Sequence, residues 1–444
     1  MKAPLILIGL VCCATLALGQ SVGDVVKQNA GQGVKQGATI ATEQTANNVT
    51  NRLVNKLFSK KSKGGKVDSS KLAGGAAGGA AGGAGGAAAS GGAGEAWKTY
   101  SKFDFVPGDK ILAVEDFSQD AVGDFPGKWN TNSTGEVQTI GGKEGKWLSV
   151  SKRGLFLPEF ITNLPDNFTL QFDLVCSPNF GRGSGNFAVS FDAIPNPGKD
   201  FTHLGHGVSR NEAMVFFQPN AAYNHGFTGF GIWQNDEQIM NNSADQDEWV
   251  GPVLKKNFCT VSIWRQKQRL RVYMNETKVW DIPRAFEDGK KYNSVLFSLQ
   301  DDLTPTDHML FGNVRLAVGS PDTRNKLMTE GKFSTTGILF DVNSSIVKPE
   351  SYGSLKAIAD VLAADATLTL MIVGHTDTDG DAAGNITLSH KRADAVKEAL
   401  VRQFGIDGAR LQTDGKGATQ PVGPNDSVTG KAQNRRVEFI KSAG

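Results

Sequence analysis

The chain is poor in cysteine, with four among 444 residues and two of those within the first thirteen. That excludes a disulfide-dense scaffold. It also lacks a surplus of either charge, carrying 47 basic against 45 acidic side chains for a net +2. A dedicated nucleic-acid binder concentrates basic residues on one domain, so nucleic acid is not an expected partner. Metal-type Cys/His spacing is missing: His203 and His206 form an H-x-x-H without a third ligand or helical context. The apolar run from Pro4 to Leu18 is short of the roughly 20 residues that span a bilayer. Membrane association is expected to be peripheral at most, and no cofactor is implied.

What is present divides the chain. Lys2, the apolar run, and the small residues Ala17 and Gly19 read as a secretory signal over residues 1–19. A rival reading lipidates Cys12 or Cys13, but Val11 before Cys12 is bulkier than such signals usually carry. Removing the signal leaves Cys176 and Cys259, which permits one disulfide or two unrelated buried thiols. Residues 20–71 are polar. Within them Val49, Leu53, Val54, Leu57 and Phe58 recur at helical spacing ahead of Lys60, Lys61, Lys63 and Lys66. That segment suits either an anionic surface or a marginal helix with a solvated basic end. Residues 72–96 are almost wholly Gly and Ala, a composition that forfeits too much backbone entropy to fold and serves as a flexible linker.

Over residues 103–320 short Phe/Val/Ile/Trp runs alternate with Gly/Asn/Asp/Pro turns, as in "KILAVEDF", "FTLQFDLV", "NFAVSFDA", "FCTVSIWR" and "SVLFSL". In "FTLQFDLV", Phe168, Leu170, Phe172 and Leu174 point one way, and Thr169, Gln171 and Asp173 the other. Nine such runs without long helical periodicity predict an all-β, two-sheet sandwich. A transmembrane barrel would reverse the apolar and polar faces. The pattern resembles concanavalin A-like jelly rolls, including laminin-G-type and laminarinase-type domains. The resemblance implies a module for a glycan or an envelope protein, with Trp233, Trp249 and Tyr223 as candidate sugar platforms and Trp129, Trp147, Trp264 and Trp280 as core residues. The hydrolases of that shape carry E-x-D-x-x-E, which this segment lacks, so the resemblance does not extend to catalysis.

Residues 330–444 change period again. "GILFDVNSSIVKP" reads as an extended start. Leu355, Ile358, Ala359 and Leu362 then share a helical face, "ATLTLMIVGHTD" is a buried strand, and Ala393, Val396 and Leu400 line a second helix ended by Gly405. "ARLQTDGKG" and "NRRVEFIKS" add strands. The order βαβαββ predicts an α/β domain with helices on one mixed sheet.

Asp377, Asp379 and Asp381 in "GHTDTDGDAAGN" have the one-three-five spacing of an EF-hand. Ala382 and Leu388 stand where the turn glycine and the bidentate glutamate belong, so calcium is not expected. His375 has no nucleophile beside it and reads as a packed residue.

"GHTDTDGDAAGNITLSHKRADAVKEAL" followed by "GKGATQPVGPNDSVTGKAQNRRVEF" resembles the OmpA-like peptidoglycan-binding domain. The spaced motifs are T-D, L-S-x-x-R-A, G-x-G-x-x-x-P and N-R-R-V-E. The resemblance implies a non-enzymatic envelope protein, exported to the periplasm or outer membrane of a Gram-negative-type bacterium. Its partner would be the diaminopimelate of the peptidoglycan stem, gripped by Asp377 and Arg392 and supported by Asn343, Asn385, Thr376 and Leu388. Of Arg435 and Arg436, on opposite faces of an extended segment, one would approach the ligand or brace Asp377 while the other is solvated. Lys416 departs from the aromatic common at its position. The alternatives are a peptidoglycan-anchored glycan hydrolase with its active site in the sandwich, and a structural component of a secretion or adhesion assembly.

Overall fold

The computed structural model describes residues 103–203, 209–222, 225–253, 255–319 and 323–442, all within one compact unit. The expected signal, the polar segment, the Gly/Ala linker, His206 and Tyr223 lie outside the described residues.

Fifteen strands precede residue 320. They are β1 (Lys110–Glu115), β2 (Trp129–Thr131), β3 (Gly135–Gln138), β4 (Trp147–Val150), β5 (Gly154–Pro158), β6 (Asn167–Cys176), β7 (Phe187–Asp192), β8 (Glu212–Ala222), β9 (His225–Gln234), β10 (Glu237–Gln246), β11 (Phe258–Gln266), β12 (Arg269–Met274), β13 (Thr277–Ile282), β14 (Ser294–Leu299) and β15 (Met309–Val318). One sheet runs β13-β12-β11-β6-β15-β4-β3, with β1 also on β15; the other runs β10-β9-β8-β7-β14-β5-β2. Side chains from the two sheets form one core. Phe311 of the first stacks on Phe297 of the second with ring centroids 5.0 Å apart, and Trp129 packs against both. Each such buried aromatic contributes about 1.5–3 kcal/mol of transfer free energy.

Six strands fall outside the nine runs. β2, β3 and β5 are too short to show alternation. β9 is broken up by Gly226, Gly229 and Gly231, β10 is exposed along nearly all its length, and β15 is interrupted by an irregularity between Gly312 and Arg315 where Asn313 has φ +52°.

Three expectations are corrected. The polar face of β6 does not meet solvent: Thr169, Gln171 and Asp173 are all buried. Residues 103–109 and the C-terminal domain cover it, and its polar groups are satisfied internally. Thr169 accepts from the Gly108 amide at 2.9 Å, Gln171 donates to Ser262 at 3.1 Å, and Asp173 accepts from Thr260 at 2.6 Å and Asn313 at 2.7 Å. Burial pushes the Asp173 carboxyl up. Trp249 is no surface platform, being wholly buried in the sandwich core. Trp233 is half-buried, with the Arg210 guanidinium 3.6 Å over its ring.

Cys176 and Cys259 are free, buried thiols. In the β6–β11 ladder Cys259 stands opposite Leu174, so the two cysteines are diagonal neighbours. Diagonal positions are about 7–8 Å apart, beyond the reach of a disulfide. Burial raises both thiols above their ordinary range. Reductant is expected to leave the melting temperature unchanged, and a thiol reagent is expected to titrate both groups only after denaturation; fast labelling of the native protein would contradict this.

The C-terminal domain comprises β16 (Lys332–Thr335), α1 (Tyr352–Ala364), β17 (Leu370–His375), α2 (Ala382–Phe404), β18 (Leu411–Gly417), α3 (Val428–Asn434) and β19 (Val437–Lys441). Its sheet runs β16-β19-β17-β18 and is mixed, β17 and β18 being parallel. Leu355, Ile358 and Leu362 of α1 and Ala393, Val396 and Leu400 of α2 are buried in one core with Phe333, Ile372 and Phe439. Two features differ from the sequence reading. The first strand is Lys332–Thr335, while "GILFDVNSSIVKP" holds only an isolated bridge between Phe340 and Val347. A short helix, α3, precedes the last strand, started by Ser427, whose side chain accepts from the Gly430 amide.

The two domains pack directly. Arg315 of β15 donates to the Thr336 carbonyl at 3.0 Å and to its hydroxyl. Gln433 of α3 donates to the Ile111 carbonyl of β1 at 3.3 Å. Tyr352 joins Phe103, Phe105, Tyr273 and Trp264 in a small aromatic cluster.

Candidate functional site

The crossing of β17 and α2 sets the geometry. A Cβ on Gly374 would stand 2.1 Å from the Ser389 carbonyl oxygen, so only glycine lets helix and strand approach this closely. β17 then delivers Thr376 and Asp377 into a loop closed by the cap of α2, where the Asp381 side chain accepts from the Gly384 amide at 2.7 Å. Thr376 is fixed by its amide to the Gly417 carbonyl at 3.0 Å and by its hydroxyl to the Asp377 carbonyl at 2.8 Å. Asn385 donates to the carbonyls of Asp379 at 2.9 Å and Asp377 at 3.4 Å, so it shapes the loop. The three aspartates diverge to separate partners: Asp377 to Arg435, Asp379 to Lys431 at 2.6 Å, and Asp381 to the helix cap.

Asp377 is buried and its Oδ2 lies 2.5 Å from Nη1 of Arg435. Its Oδ1 accepts from the Asp379 amide at 3.1 Å. Arg392, also buried, is not its ion-pair partner. Arg392 donates through Nε to the Ser344 carbonyl at 2.9 Å and through Nη2 to the Asp341 carbonyl at 3.2 Å, with its guanidinium 4.9 Å over the Phe340 ring. Burial first, and Arg435 second, pull the Arg392 guanidinium down, while Asp377 opposes them. Arg392 therefore holds the loop that carries Asn343, an exposed residue at φ +53°.

Arg435 is the arginine that braces Asp377. Arg436 is not solvated: its side chain is 4% exposed and its Nε and Nη2 lie 2.9 and 2.7 Å from Glu438 Oε1. The His375 ring, buried 3.7 Å away, joins Arg436 in holding the Glu438 carboxyl down to about 2. Because that value lies below the ordinary 4.5, Glu438 stabilises the domain fully above about pH 4.5 and loses its contribution as pH falls toward 2. Glu438→Gln is expected to flatten the acid-side stability profile over that window; an unchanged acid midpoint in denaturant titrations would contradict the assignment.

All eight residues singled out from the sequence, Asn343, Thr376, Asp377, Asn385, Leu388, Arg392, Arg435 and Arg436, line one cleft of about 1080 Å³. Sequence reasoning missed Phe340, Lys431 and the carbonyls of Asp341 and Ser344, because main-chain acceptors and ring faces leave no motif. The sandwich offers a facing carboxylate pair, Asp192 opposite Glu212 on β7 and β8. Both are sealed from solvent, and burial pushes both up. Ser190 donates to Asp192 at 2.6 Å, and Arg210 pairs with Glu212. No helix among the described residues is long and apolar enough to cross a membrane.

Residues 339–435 match the OmpA family. Outer membrane porin F of Pseudomonas fluorescens is 43% identical over 101 residues, 23% of this chain and 31% of the relative. The probable lipoprotein YiaD of Escherichia coli strain K12 is 39% identical over 105 residues, 24% of this chain and 48% of the relative. The chain thus spans less than half the length of either. The peptidoglycan-associated lipoprotein from Burkholderia pseudomallei, a solved structure, shares 29% identity over 24% of this chain and 89% of its own, with a TM-score of 0.23. The C-terminal part of the chain is an OmpA family domain with relatives among outer membrane proteins and lipoproteins.

Proposed function

We propose that the protein is a non-enzymatic anchor of the bacterial cell envelope that binds peptidoglycan through the Asp377–Arg392 cleft. The observation that carries this reading is the convergence of eight residues, far apart in sequence, on one cleft, seven of them within the OmpA family match and Arg436 next to its end. The ligand is the diaminopimelate of the peptide stem, a zwitterion. Asp377 takes an ammonium and Arg392 with Arg435 a carboxylate, each through a charge-assisted hydrogen bond. The sandwich is a concanavalin A-like jelly-roll module that the anchor holds at the wall, for a glycan or an envelope protein. Its buried Asp192–Glu212 pair offers no open site for glycoside chemistry, which supports the binding role over hydrolysis. Many spaced attachments on one polymer make avidity the working quantity. The test is co-sedimentation with purified sacculi in the presence of free diaminopimelate. Retention that the free amino acid competes away is expected; absence of retention, or retention indifferent to the competitor, would overturn the reading.

A further inference from the structure

The cleft has a second wall. Opposite the C-terminal domain it is lined by the outward face of the sandwich, including Lys143, Phe258, Asn313 and Arg315. Arg315 reaches from β15 to the cleft floor. Among the described residues its guanidinium meets only Thr336, its Nε is buried without a hydrogen-bond partner, and it takes no part in an ion pair. Arg392, on the facing wall, donates only to main-chain carbonyls. Arg315 and Arg392 both feel the charge of Arg435, whose own counter-charge is Asp377, and burial together with Arg435 pulls Arg315 down to about 10. Buried cations without counter-charge are costly, and an incoming anion relieves that cost. Further along the same wall the Lys143 ammonium lies 3.9 Å over the Phe258 ring and has no ion-pair partner among the described residues.

We propose that the site is composite: the sandwich wall, through Arg315 and Lys143, binds further carboxylates of the same stem peptide whose zwitterionic residue Asp377 and Arg392 hold. This rests on the peptidoglycan reading above and extends it. The strand register sets the length of the ligand. Arg315 stands opposite Gln171, and Phe258 opposite Val175, four residues along β6. At about 3.3 Å per residue that is about 13 Å along the strand, and because β6 lies between β15 and β11 the sideways offset of about 9.6 Å makes the separation about 16 Å, the span of roughly five residues of extended chain. The cleft therefore suits an acidic peptide segment better than an isolated amino acid, and the sandwich sets specificity for what flanks the diaminopimelate.

The test is titration of the full chain and its variants with free diaminopimelate and with a soluble diaminopimelate-containing tetrapeptide stem. Arg315→Gln and Lys143→Glu are each expected to weaken the tetrapeptide by about tenfold or more while leaving the free amino acid unchanged. Asp377→Ala is expected to lose both ligands. Loss with Asp377→Ala but wild-type tetrapeptide affinity in the sandwich variants would overturn the composite site and leave the anchor reading standing. Wild-type binding by Asp377→Ala would overturn the anchor reading itself. Should Arg315→Gln not fold, the half-buried Lys143, whose ammonium makes no hydrogen bond or ion pair among the described residues, decides the question alone.

Discussion

Asp377→Ala and Arg392→Ala are each expected to abolish retention of the full chain by purified peptidoglycan, for different reasons. Asp377 is the carboxylate that pairs with Arg435 and acts on Arg392, so its loss leaves those two guanidiniums without it and removes the group assigned to the ligand's ammonium. Truncating one partner of a desolvated, charge-assisted contact costs about 2–5 kcal/mol, which is roughly a thirtyfold to several-thousandfold loss of affinity. Arg392→Ala removes the cation proposed for the ligand's carboxylate and also releases the Asp341–Ser344 loop that its two hydrogen bonds hold. Arg392→Lys keeps the charge but cannot span both carbonyls, so it is expected to behave nearly as badly as alanine. Co-sedimentation of each variant checks this, with circular dichroism to establish folding. Folded variants that sediment like the wild type would refute the assignment.

The second large effect concerns the seam between the domains. Gly353, near the start of α1, lies under residues 103–109, and a Cβ there would fall 1.8 Å from the Phe105 carbonyl oxygen. Backbone cannot rotate away as a side chain can, so Gly353→Leu must lift that segment off the helix. Overpacking of this kind costs about 1–3 kcal/mol or more. Phe105 packs with Tyr273 and Trp264 of the sandwich, so the lost contact is one that holds the two domains together. Calorimetry is expected to show one transition in the wild type and two in Gly353→Leu, with the control Gly408→Ala, where a Cβ meets Val401 at an ordinary 3.5 Å, unchanged. A single undiminished transition in Gly353→Leu would show that the seam carries no stability.

These effects mark where the sequence was legible. Helical faces such as Leu355, Ile358 and Leu362 were readable because burial follows a local period. The cleft residues were readable because their motifs are spaced within one family pattern. Relations across the chain were not. Arg435 rather than Arg392 pairs with Asp377, a choice made by where β19 lies beside β17. The polar face of β6 reads as solvent-facing from alternation alone, since only the docked C-terminal domain and residues 103–109 turn it inward. Trp249 is buried by the tertiary fold. The Cys176–Cys259 bridge fails on a register offset of two residues that no count of cysteines reveals.

Calorimetric titration of the full chain with two stem peptides, identical except that one carries diaminopimelate and the other lysine, separates recognition of the zwitterion from general attraction of peptide charge. Lysine lacks the carboxylate that Arg392 and Arg435 are assigned to hold. Saturable binding of the diaminopimelate peptide alone is the expected result; equal binding of both peptides, or binding of neither, would refute zwitterion recognition by this cleft.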